Sequence, residues 1–90
     1  MENETREQIK ALVDEYLEEC ELTLRKLGDG LSLPEQGITF SEGAIGNWRY
    51  RTSQPDVFFM RDVAKYHPEA WAREFAMRVL EIYGLQLKEE

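Results

Sequence analysis

Apolar residues between positions 5 and 27 recur at steps of three and four. Ile9, Leu12, Val13, Tyr16, Leu17, Cys20, Leu24 and Leu27 fall on one face of an amphipathic helix. Thr5 with Gln8 three residues later is a capping-box start. Gly28 can take the left-handed conformation that ends a helix. The opposite face carries Glu7, Asp14, Glu15, Glu18 and Glu21. The plain reading of these acids is a solvated face. The sharper reading is an electronegative patch that repels DNA or binds a basic partner.

Residues 28–47 are punctuated by glycine, and Pro34 predicts a short helix at 34–38. Residues 41–50 place Ala44, Ile45 and Trp48 at helical steps. Residues 56–66 place Val57, Met60, Val63 and Ala64 on one stripe, with Asp56 as N-cap. Pro68 ends that helix and serves as a first-turn residue of the next, 68–83. The last helix has a wide apolar face, from Trp71 and Ala72 through Phe75, Ala76, Val79 and Leu80 to Ile82 and Tyr83. Gly84 ends it, and Leu85-Gln86-Leu87 alternates before an acidic tail. The expected fold is all-α: one small helical domain over residues 1–90, with a long N-terminal helix.

The 90 residues carry a net charge of −7, which argues against a generally basic, phosphate-coating protein. Charge is unevenly spread, however. Residues 1–30 hold nine acids and four bases, whereas residues 41–61 hold three arginines and two acids. Contact with a polyanion belongs in that middle segment, the only one that leans positive. No apolar run reaches the ~18–20 residues of a membrane span. The single Cys20 allows no internal disulfide, and the N-terminus does not read as a signal peptide. These features lead us to expect a cytoplasmic protein with no membrane contact.

The spacing in residues 45–64 is Ile-x2-Trp-x6-Pro-x-Val-x2-Met-x2-Val-Ala. With Phe40 and Ser41 before it, this stretch resembles the helix-turn-helix domain of lambda-repressor-like (Xre/Cro-type) regulators, over about residues 38–66. In that family an aliphatic residue and a tryptophan anchor the recognition helix, and a proline-containing loop leads into the next helix. Short phage activators of the same superfamily place an extra oligomerising helix behind the unit. The resemblance implies a small sequence-specific transcriptional regulator of phage or plasmid type, binding double-stranded DNA as a homodimer. The chain departs from the pattern at Pro34, Glu35 and Gly37, where a regular helix with a small residue is expected. It departs again at Thr39 and Arg51, where glycine is usual.

A recognition helix at 41–50 would expose Ser41, Glu42, Gly43 and Asn47. Asn can pair with adenine and Glu can accept from cytosine. Arg49, Arg51, Thr52 and Ser53 follow it and suit phosphate contacts. A dimer surface is expected on residues 68–84, at Trp71, Phe75, Val79, Ile82 and Tyr83.

Two alternatives stay open. Trp48 and Tyr50 alternate with Arg49 and Arg51, a half-buried strand pattern. A hairpin at about 38–52 would make the fold α+β. The second alternative concerns function: an acidic, non-catalytic interaction module that binds a protein through the first helix.

Single residues add little chemistry. His67 suits capping or packing, and Cys20 packs as a small hydrophobe. Phe58 falls on the polar side of its helix, which marks a contact surface. No nucleophile–base set, carboxylate pair or metal-ligand spacing is present. We therefore expect no enzyme activity, no cofactor and no metal.

Overall fold

The computed structural model describes residues 2–84, with side chains described from Glu4. Five α-helices follow in order: α1 Glu2–Glu19, α2 Leu24–Leu31, α3 Glu42–Arg49, α4 Val57–Tyr66 and α5 Ala70–Ile82. A single 3-10 turn at Pro34–Gln36 lies between α2 and α3. The fold is all-α. Among the described residues the only β-type pairing is an isolated bridge between Leu33 and Ile38. Trp48 to Arg51 is helix and turn, so the hairpin does not form.

The expected helix at 5–27 is two helices. The Leu22 N–H reaches back to the Leu17 carbonyl at 3.0 Å, across Glu21 in the left-handed region at φ 53°. This is the Schellman closure of a helix C-terminus. Thr23 then caps α2, its hydroxyl accepting from the Lys26 N–H at 3.1 Å. The break leaves Cys20 exposed rather than on the apolar face. At the other end α1 already runs at Glu2, so Thr5 lies inside the helix and does not start it.

Gly28 does not end a helix either. It lies inside α2 and is buried, where a Cβ would come within 2.5 Å of the Phe40 carbonyl oxygen and 3.2 Å of Ile45. Gly30 lies under the Trp71 indole, whose nearest atom would be 2.6 Å from a Cβ. The missing side chains let α2 approach both the segment leading into α3 and Trp71 of α5.

Asp56 caps α4 as expected, and Ser41 caps α3. The Ser41 hydroxyl accepts from the Ala44 N–H at 3.1 Å. The Asp56 carboxylate accepts from the N–H groups of Phe58 and Phe59 at 2.8 and 3.2 Å. Helix α5 begins at Ala70, so Pro68 stands just outside it. Buried His67 links the two helices: its Nδ1 accepts from the Glu69 N–H at 3.0 Å, and its carbonyl accepts from Arg73 at 2.7 Å.

The core runs through all five helices. Ile9, Val13, Leu27, Leu31, Ile45, Met60, Val63, Phe75 and Val79 are wholly or almost wholly buried. Phe75 sits where three helices meet, edge-on to Tyr16 of α1 at 5.1 Å and stacked with Trp48 of α3 at 6.5 Å. Helix α5 needs its wide apolar face because it packs on α4 and α1 at once. Arg78 fixes α5 to α1 through two hydrogen bonds to Glu15, at 2.7 and 2.9 Å. The Tyr83 hydroxyl donates to the Pro55 carbonyl at 2.6 Å. Burial, with the nearby negative Asp56, pushes its pKa up to about 12. No described helix is long and apolar enough to cross a membrane. Leu85-Gln86-Leu87 and the acidic tail lie outside the described residues.

Candidate functional site

Helix α3 presents two different faces because Ile45, Gly46 and Trp48 are buried while Ser41, Glu42, Gly43 and Asn47 are exposed. Its inner face is held by Phe40, whose ring meets Trp48 edge-on at 5.4 Å. Helix α2 packs closely on it, admitted by Gly28. The segment Ser32–Ser41 between them is longer than the turn of about three to four residues in a compact helix-turn-helix. Ser32 closes this segment: its hydroxyl donates to the Gly28 carbonyl at 2.8 Å and accepts from the Phe40 N–H at 2.9 Å. The short helix expected at 34–38 is only the 3-10 turn, ended by Gly37 at φ 74°.

The individual side chains divide by what already occupies them. The Ser41 hydroxyl is engaged as the N-cap. The Thr52 hydroxyl donates to the Asn47 carbonyl at 3.2 Å. The N–H groups of Thr52 and Ser53 converge on the same carbonyl at 2.9 and 3.3 Å, closing the end of α3. Glu42 and the Asn47 amide face solvent and can hydrogen-bond a ligand, while Gly43 permits close approach of a partner to the backbone.

The two arginines are held by α1. Arg49 Nε donates to Asp14 Oδ1 at 2.9 Å, and Lys10 donates to the other Asp14 oxygen at 2.8 Å. Burial alone raises the Asp14 carboxyl. The hydrogen bonds and charges of Lys10 and Arg49 outweigh it and hold the carboxyl below its ordinary value. Arg51 pairs with Glu7, and its carbonyl accepts from Arg6 at 3.2 Å. Arg51 itself adopts φ 68°, the left-handed conformation that favours glycine.

The surface expected to pair two copies is largely internal. Phe75 and Val79 are fully buried in the fold, so they offer nothing to a second chain. Trp71, Ile82 and Tyr83 are half-buried against the same core. Most of the large exposed apolar side chains among the described residues lie elsewhere: Phe58 is 67% exposed and Phe59 40%, at the start of α4, with Tyr50 and Tyr66 also exposed; Met77 is the one on α5.

Sequence reasoning missed Glu7 and Asp14 as partners of the arginines. They stand 44 and 35 positions away, and no local pattern marks so distant a pair. It also missed Gly28 as the seat of α3. A glycine inside a helical pattern costs about 1 kcal/mol relative to Ala, and that cost was the one local sign that the missing side chain serves packing.

No described group of three or more His, Cys, Asp or Glu could hold a metal. No family model matches the chain, and no curated protein or solved structure matches it significantly.

Proposed function

We propose that this chain is a small cytoplasmic, non-catalytic transcription regulator that reads duplex DNA with the outward face of α3. The observation that carries this reading is the pairing of α2 with α3 through Gly28. Two helices packed so closely, the second with an open outer face, support a helix-turn-helix reading, although the small residue is Gly28 and not one near position 35. A recognition helix needs a buried anchor and an open face whose N-terminal residues reach base edges. Ile45 and Trp48 supply the anchor. Glu42, Gly43 and Asn47 supply the face, while Ser41 holds the helix start. Arg49 and Arg51 are the phosphate-contacting groups.

Selection of binding sites from a pool of random duplexes tests this. Enrichment of one sequence, with Asn47→Ala weakening its binding by about tenfold or more, is the expected result. Half-sites repeated about one helical turn apart would report a dimer. No enrichment, together with no duplex binding at low salt, overturns the reading.

A second reading is favoured by one observation: both arginines are already paired with α1 carboxylates. A protein-binding module would keep them so. It would contact a basic partner through α1, with Phe58 and Phe59 as apolar contacts. It predicts no DNA binding under any salt condition.

A further inference from the structure

Glu7 and Asp14 offer Arg51 and Arg49 anionic oxygens of the kind a DNA phosphate would offer. Each carboxylate makes a charge-assisted bond to one of the two arginines flanking the reading face. We infer that α1 is an internal phosphate mimic, an electrostatic latch that holds Arg49 and Arg51 away from DNA until duplex phosphates displace it. The inference rests on the DNA-reading proposal and names the regulation of the same surface.

Two features make the latch openable. Both pairs are partly solvent-exposed, with side-chain exposures of 42% and 25% for Arg49 and Asp14, and 49% and 55% for Arg51 and Glu7. Exposed pairs are weak and screened by salt. Asp14 has Lys10 at 2.8 Å as a second partner, and Glu7 is exposed enough to be hydrated once Arg51 leaves. Arg51 sits in a backbone conformation that ordinary residues avoid. Glycine would fit that position better, but it could not reach Glu7.

DNA binding then exchanges two internal pairs for two phosphate pairs instead of forming two new ones. The net gain is small for an arbitrary duplex and grows only where base contacts from α3 add to it. The latch therefore lowers binding to random sequence and to a preferred site by the same factor, and leaves only the site with added base contacts bound at low protein concentration.

The test uses the full chain and a mixed-sequence duplex of about two helical turns, titrated at low salt. The variants are Glu7→Gln, Glu7→Gln with Asp14→Asn, and a control, Glu18→Gln with Glu19→Gln, which removes the same charge elsewhere on α1. Glu7→Gln alone alters an exposed side chain and serves if the double variant melts early. The latch predicts roughly tenfold tighter binding for the double variant, a smaller gain for Glu7→Gln, and less than about twofold for the control. Adding Arg49→Ala and Arg51→Ala abolishes the gain. Equal tightening by the control and the double variant overturns the latch and leaves DNA reading intact. No duplex binding by any variant overturns the DNA reading and the latch with it.

Discussion

Glu21 and Arg51 both sit in the left-handed region without being glycine, and they do so for different returns. Glu21 closes α1, and its side chain is exposed. Glu21→Gly should raise stability by roughly 0.5–1 kcal/mol, the relief of left-handed strain less the entropy glycine loses on folding. Arg51→Gly relieves the same strain but loses the pair with Glu7, so its net effect should be near zero. Urea midpoints of the two variants check both. The carboxylates of α1 give a pH dependence. The Arg78 hydrogen bonds hold the Glu15 carboxyl below its ordinary value, against a smaller opposing effect of burial. Asp14 is lowered by Lys10 and Arg49 despite burial. Groups lowered in the folded state contribute fully above their unfolded values, 3.8 for Asp14 and 4.5 for Glu15. That contribution fades as pH falls through the folded values. Stability should be flat from about pH 7 to 5.5 and drop below about pH 4.5. Asp14→Asn with Glu15→Gln should flatten that acid limb in urea titrations.

At the scale of elements, local chemistry made α3 and α4 legible. Ser41 and Asp56 are short polar caps followed by apolar steps, and each helix begins where its cap lies. The α1–α2 break was illegible for a physical reason. Its left-handed residue is Glu21 rather than glycine, and the apolar period runs on through Leu24 and Leu27. Gly28 looked like a terminator because glycine in a helix is usually costly. Here the cost is outweighed by the packing it permits. Glycines inside the two paired helices should therefore respond oppositely. Gly28→Ala drives a Cβ into the Phe40 carbonyl and should cost about 1–3 kcal/mol. Gly46→Ala meets only Leu24 at 3.8 Å and Tyr50 at 4.0 Å, and should gain up to about 1 kcal/mol. Thermal melts of the two variants separate these outcomes.

For the whole molecule, the sequence carried the all-α class but not the assignment of α5's apolar face. A wide face is consistent with an oligomer or with an internal position between two neighbours. Only the three-dimensional placement of Tyr16 and Trp48 beside Phe75 decides between them. Phe75→Ala should accordingly act as a core truncation and cost about 3–5 kcal/mol. The loss in melting temperature should be the same at every protein concentration, because Phe75 is wholly buried within the chain. The candidate reading face was legible because it is local to one helix. Its ion pairs were not, because they join the first helix to the third.

The two tryptophans occupy different surroundings, and this gives the molecule an optical consequence. Trp48 is buried between Phe40 and Phe75. Trp71 is half-exposed, and its indole lies over Gly30 of α2. Emission from Trp48 reports the integrity of the centre. Emission from Trp71 reports the seam between α2 and α5, the helix that backs α3 and the helix that spans the core. A ligand that shifts α2 against α5 on binding changes the emission of Trp71, so the native chain carries its own label for that movement.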